Sequence, residues 1–117
     1  MNKKELTIRK NIIATALELE KKNLNQGKAG NISVRWNGGI LITPSGMDYH
    51  KLKPKDIVFI DNKGKSHGKR KPSVETPFHY DILKYKKEID TVIHTHAPYS
   101  TGLSILGKPI PCYHYMI

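Results

Sequence analysis

His94-Thr95-His96 closes the apolar run Thr91-Val92-Ile93, and two histidines one residue apart are a residue type and a spacing suited to metal chemistry. Side chains on a strand alternate faces, so His94 and His96 would project from the same side with their Cβ atoms roughly 6.5 to 7 Å apart. Two imidazoles so placed can reach one ion. Zinc takes a histidine nitrogen at about 2.0 to 2.1 Å, and its catalytic sites usually combine three protein ligands with one open position. Glu75, in Pro72-Ser73-Val74-Glu75, is the third candidate. His-x-His is a short motif that also occurs without a metal, so the rest of the chain carries the weight.

The elements that must position these residues can be read from the pattern. Glu75 opens a helical segment to about Lys86 with Phe78, Ile82 and Tyr85 as its buried stripe, and Pro77 is tolerated because the first turn lacks intrahelical N–H bonds. A carboxylate at a helix N-terminus also complements the macrodipole, so Glu75 has a capping reading beside the chemical one. A strand over Thr91 to Thr95 delivers the histidines, and a short helix follows from Tyr99 to Leu106.

Upstream, Lys4 to Leu24 forms an amphipathic helix with Leu6, Ile13, Leu17 and Leu24 on one stripe, widened by Ile12 and Ala16. Asn25-Gln26-Gly27 is expected to end it, with the glycine in the left-handed cap. Gly30 to Arg35 alternates as a strand, with Ile32 and Val34 on one face and Asn31, Ser33 and Arg35 on the other. Asn37-Gly38-Gly39 is a hairpin signal, and Ile40 to Thr43 returns as the second strand.

The Gly30-Asn31 and Pro44-Ser45-Gly46 corners then lie at one end of the sheet, where backbone N–H groups, the Asn31 amide and the Ser45 hydroxyl could form a nest for an oxyanion or a phosphate. The same residue types also make ordinary turns. A helical turn is expected within Met47 to Lys53. Ile57 to Ile60 reads as an inner strand, and a basic polar loop runs on to Lys71.

The 117 residues fit one domain, 1–117, with a modest core. No apolar run reaches the roughly 18 to 20 residues of a membrane span, and no signal-like segment opens the chain, so a cytoplasmic protein without a membrane partner is expected. A single cysteine, Cys112, excludes an internal disulfide and is expected as a small semi-buried residue.

The net charge of +10 raises nucleic-acid binding, but of the 20 basic residues only Arg9, Arg35 and Arg70 are arginines, and the lysines are dispersed without interleaved aromatics. A positive field of this kind suits capture of a small anionic substrate instead. The segment Ile110 to Ile117 is apolar and aromatic, like a core element cut short, and is expected to drive self-association.

Gly30-Asn31-Ile32-Ser33, Thr43-Pro44-Ser45-Gly46, Pro72-Ser73-Val74-Glu75, His94-Thr95-His96 and His114-Tyr115-Met116-Ile117, in that order, closely resemble the class II aldolase and adducin family, in its branch of L-fuculose-1-phosphate aldolases. The resemblance runs from about Gln26 to the last residue. It implies a three-layer α/β/α fold with a central, mostly antiparallel sheet, here the N-terminal part of the family domain and truncated at the C-terminus.

It also implies that His94, His96 and Glu75 ligate a divalent metal, usually zinc, with Glu75 doubling as general acid/base. Gly30, Asn31, Ser45, Gly46, Ser73 and Val74 would hold a substrate phosphate, Val74 through its backbone N–H where relatives often carry a second serine. Tyr115 matches a catalytic tyrosine that approaches a neighbouring subunit's site, which implies a homotetramer. The family domain supplies a further metal-binding histidine that this chain lacks.

The implied activity is zinc-dependent cleavage of a phosphorylated ketose to dihydroxyacetone phosphate and an aldehyde. The chemistry suits the residues, because a metal ion can stabilise the charge left beside a carbonyl and a carboxylate can move the proton, with no Schiff-base lysine needed. Alternatives on the same scaffold are a sugar-phosphate 4-epimerase, a dehydratase, or a non-catalytic adducin-like interaction module.

Overall fold

Asn2 starts the first helix, its side-chain oxygen accepting the Glu5 N–H at 2.8 Å and so satisfying one of the donors that a first turn leaves unpaired. In the computed structural model, which describes residues 1–113 and Tyr115, this helix, α1, runs over Lys3–Lys21. It ends short of the expected Leu24 because Asn23, not Gly27, takes the left-handed cap at φ 56°. The Leu24 N–H then bonds the Leu19 carbonyl at 2.9 Å and the Asn23 N–H that of Glu20 at 3.0 Å, the pair of bonds that closes a Schellman cap.

The buried face of α1 is Arg9, Ile12, Ala16 and Leu19, flanked by the partly buried Ile8, Ile13 and Leu17. The expected stripe is thus rotated. Arg9 can be buried because Glu5 and the carbonyls of Pro54 and Ile57 take its guanidinium hydrogens, which ties α1 to the segment entering the third strand.

Strands β1 (Asn31–Trp36) and β2 (Gly39–Ile42) form the expected hairpin. Asn37 and Gly38 both have positive φ, 46° and 76°, as a type I′ turn requires. Two 3₁₀ turns, Tyr49–Lys51 and Pro54–Asp56, lead to β3 (Val58–Ile60). A short β4 (Ser66–His67) occurs within the stretch expected to be loop. Two residues are too few for a periodic signal, and the Phe59 ring against His67 at 5.7 Å helps to hold the pairing.

Helix α2 (Thr76–Tyr85), β5 (Thr91–His94) and helix α3 (Pro98–Ile105) complete the order. The sheet runs β4-β3-β2-β1-β5 with every ladder antiparallel. Among the described residues, no helix is long and apolar enough to cross a membrane.

The layers are α/β/α. Ile12, Ala16 and Leu19 of α1 pack on Ile32 and Leu41 from one face, together with Tyr49, Leu52 and Ile57. Leu83 of α2 packs on Ile40, Ile42, Val58 and Ile60 from the other. The expected buried stripe of α2 is corrected here: His79 and Leu83 are buried, whereas Phe78, Ile82 and Tyr85 are 38%, 36% and 75% exposed. The reason lies in the sheet beneath. The polar face of β1 is also covered, with Asn31 and Ser33 both buried, and a histidine satisfies those groups where a phenylalanine could not.

Cys112 is exposed rather than semi-buried, as are Ile110 and Tyr113, since the segment after α3 runs on as irregular surface backbone. His114, Met116 and Ile117 of the last motif lie outside the described residues.

Candidate metal centre and anion cleft

Asn31 at the start of β1 faces His94 at the end of β5 as a direct cross-strand partner, so the two side chains share the α2 face of the sheet. Glu75, the residue that opens α2, comes down over both. Its Oε2 meets His94 Nδ1 at 2.7 Å and accepts a hydrogen bond from the Asn31 side-chain amide. The carboxylate makes no hydrogen bond to its own helix, so its contacts are with the site rather than a cap. The Glu75 N–H is held instead by Ser73 Oγ at 3.2 Å.

β5 stops at His94, so His96 reaches the site from the irregular segment that follows the strand. Asn25 makes this possible, its Oδ1 accepting the His96 N–H at 2.8 Å. The two imidazole centroids are 4.7 Å apart, and Phe78 meets the His94 ring edge-on at 5.4 Å. One ligand atom from each of Glu75, His94 and His96 falls within 4.8 Å of the others. Two imidazole nitrogens and a carboxylate oxygen are a donor set that zinc accepts, and the three residues fit a divalent cation. Gly30 is required beside them: its φ is +72°, and a Cβ there would fall 2.6 Å from both the Asn25 Oδ1 and the His94 carbonyl.

The electrostatics keep the acceptor charged. Burial pushes the Glu75 carboxyl upward, but the hydrogen bonds from Asn31 and His94 and the nearby His94 and His96 charges outweigh it and hold the group below the ordinary carboxylate range. His79, fully buried, is pushed down to about 4, chiefly by desolvation with His94 adding to it, and is neutral near pH 7. Its Nδ1 lies 2.7 Å from Ser33 Oγ and its Nε2 bonds the Asn31 Oδ1. Tyr49 is pushed up to about 12 by burial and then by Glu75 and Glu20. Its hydroxyl stays protonated and donates to the carbonyls of Gly30 at 2.6 Å and Ala29 at 3.2 Å, which fixes the loop into β1.

The two corners expected to converge do so through a third. The Ser73 N–H bonds the Thr43 carbonyl at 3.1 Å and the Ser45 N–H bonds the Lys71 carbonyl at 3.0 Å, with Pro44 and Pro72 bridged between them. The result is a cleft of ≈ 240 Å³ lined by Gly30, Asn31, Ser45, Gly46, Ser73 and Val74 beside Glu75 and His96, with Lys28 at its edge.

The donors differ from a backbone nest, because the Ser45 and Ser73 N–H groups are already spent. The lining instead offers the Ser45 and Ser73 side chains, Lys28, the Asn31 amide, and Gly46 and Val74, whose N–H groups have no backbone acceptor among the described residues. A larger groove of ≈ 580 Å³ lies beyond Val74, between Ile60, Pro72, Pro77 and Tyr80, and is lined by none of Glu75, His94 and His96.

Of the residues singled out in the sequence, Tyr115 alone stands apart: it is 90% exposed and does not line the cleft. Four residues at the site were not foreseen there. Lys28 had a usable signal, two positions before Gly30. Asn25, Tyr49 and His79 had none, since each acts on a partner distant in sequence.

Residues 10–117 match the family model of the class II aldolase and adducin N-terminal domain. The chain belongs to this family. It is 50% identical over 112 residues to the 5-methylthioribulose-1-phosphate/5-deoxyribulose-1-phosphate aldolase of Rhodospirillum rubrum, covering 96% of this chain and 51% of that protein. It is 48% identical over 117 residues to the L-fuculose phosphate aldolase of Haemophilus influenzae, covering 100% of this chain and 53% of that protein.

A solved L-fuculose 1-phosphate aldolase superposes with a TM-score of 0.87 at 35% identity, over 94% of this chain and 53% of that one. The chain thus spans about half the length of the curated relatives it matches.

Proposed function

We propose that the protein is a zinc-dependent class II aldolase that cleaves a 1-phosphorylated ketose to dihydroxyacetone phosphate and an aldehyde. The observation that carries this reading is that Glu75 and His96, which cluster with His94, line the same cleft as Asn31, Ser45 and Ser73. One cluster suits a cation, the other a phosphate, and a ketose 1-phosphate needs both within the length of a three-carbon fragment. The names of relatives from Rhodospirillum rubrum and Haemophilus influenzae point to the same substrate class.

In this reading Ser45, Ser73, Asn31 and Lys28 hold the phosphate, with the Gly46 and Val74 N–H groups completing the donor set, while Gly30 lets the loop backbone pass closely enough to form the wall. Anchoring that end turns the carbonyl end toward Glu75. A zinc ion held by Glu75, His94 and His96 would supply Lewis-acid stabilisation of the negative charge left on oxygen when the bond beside the carbonyl breaks. In cleavage an ionised carboxylate oxygen of Glu75, aimed by Asn31, would take the proton of the hydroxyl on the carbon that leaves as the aldehyde and give it to the carbon freed in the dihydroxyacetone phosphate fragment. Tyr115 Oη serves as a second proton-handling group by reaching the cleft of a neighbouring copy in a homotetramer, a role its exposed position allows.

Incubation with zinc and either L-fuculose 1-phosphate or 5-deoxyribulose 1-phosphate, following dihydroxyacetone phosphate by coupled reduction, tests the proposal. Cleavage of at least one substrate is expected, and epimerisation without cleavage, or no turnover, contradicts it. Glu75→Gln is expected to lower kcat by about 100-fold or more with an unchanged circular dichroism spectrum.

A further inference from the structure

His79 is fully buried, lies in the middle of α2 and does not line the anion cleft, yet it bonds the Asn31 side chain, which bonds Glu75 and lines that cleft. The direction of every bond in this chain of groups is dictated by the next. An ionised Glu75 only accepts, so Asn31 must turn its NH₂ toward it. The Asn31 oxygen then faces His79, so Nε2 must carry the imidazole proton. Nδ1 is left bare, and the Ser33 hydroxyl, 2.7 Å away, must donate to it.

We propose that His79 is a positioning residue whose Nε2–H tautomer, set by Ser33, locks the Asn31 amide with its two N–H bonds directed at Glu75 and at the phosphate cleft. An amide turned the other way would present its oxygen to the Glu75 carboxylate and to the bound anion, two acceptors facing one donor-less group. On the cleft side the Glu75 carboxylate opposes that flip, and His79 opposes it from the core. The lock comes from the core, through β1 and α2, and it acts on catalysis and phosphate binding together.

The kinetic part rests on the proposed function, and the tautomer does not. Long-range ¹H–¹⁵N spectra of the chain are expected to show His79 as the Nε2–H tautomer across neutral pH. An Nδ1–H or mixed ring overturns the proposal whether or not the protein cleaves any sugar.

In the kinetic arm, His79→Gln keeps a donor where Nε2 stood, whereas the double variant Ser33→Ala/His79→Leu removes the lock without stranding a buried hydroxyl. The double variant is expected to lose about 10- to 100-fold in kcat/KM, shared between a lower kcat and a higher KM, and His79→Gln to recover most of it. Equal losses in both variants, or wild-type kinetics in the double variant, overturn the proposal. Should the double variant fail to fold, His79→Gln and the tautomer decide: a glutamine variant as impaired as Glu75→Gln counts against the lock.

Discussion

Glu75 draws its orientation from two strands at once, accepting from Asn31 of β1 and meeting His94 of β5, while Ser73 holds its backbone. Its charge follows from those neighbours rather than from exposure, which is why the Gln replacement tests charge with little change of shape. The supports behind it make separate predictions. Tyr49→Phe removes the hydroxyl that holds the Gly30 and Ala29 carbonyls. It is expected to cost about 1 kcal/mol in urea unfolding and to raise KM for the phosphorylated substrate more than it lowers kcat.

His79 sets an acid limit on the fold. Its folded value near 4 lies below the unfolded value of 6.5, so between those pH values the unfolded chain binds a proton that the folded chain does not. Stability therefore falls as pH drops from about 6.5 toward 4. His79→Gln should flatten that part of the urea-midpoint profile, and an unaltered slope would place the acid sensitivity elsewhere. At this scale Glu75, His94 and Ser45 were legible because their motifs are local. His79, Tyr49 and Asn25 were not, because their roles depend on carbonyls and amides that only the folded chain brings near.

The helix α2 shows why an element can be recognised and its face mistaken. Phe78, Ile82 and Tyr85 form an apolar row at helical spacing, and a histidine counts as polar in any such pattern. The true inner row, His79 and Leu83, lies one position on and is selected by the buried polar groups of β1 that it must satisfy. Leu83→Ala is expected to cost about 2 to 5 kcal/mol as a core deletion, and Tyr85→Ala to stay within about 0.5 kcal/mol. Chemical denaturation of the two variants checks this, and the reverse order would restore the other face.

The hairpin and β3 were legible from alternation and the Asn37-Gly38 turn. β5 ends at His94, one residue before the expected Thr95, and His96 is held beyond the strand by the Asn25 side chain. The cluster is the same, but its cause is different.

Across the whole molecule, α1 and α2 press on opposite faces of one antiparallel sheet, and the site forms at the end where β1 starts and β2 and β5 finish. The strand order and the pairing of Thr43 with Ser73 bring together corners 30 residues apart in the chain, which no local pattern announces. The excess of lysines gives a net charge of +10, a positive field of the kind that would speed capture of a small anion without specifying it.

Glu75, His94 and His96 are expected to form the cation site, and surface pairs such as His67 with Asp61 and His50 with Glu20 offer zinc competing positions. Calorimetric titration with zinc of the parent chain and of His94→Ala and His96→Ala separates the two. One saturable zinc per chain is expected, weakened about 10-fold or more in each variant; binding that survives both replacements unchanged, or no saturable binding in the parent, would contradict it.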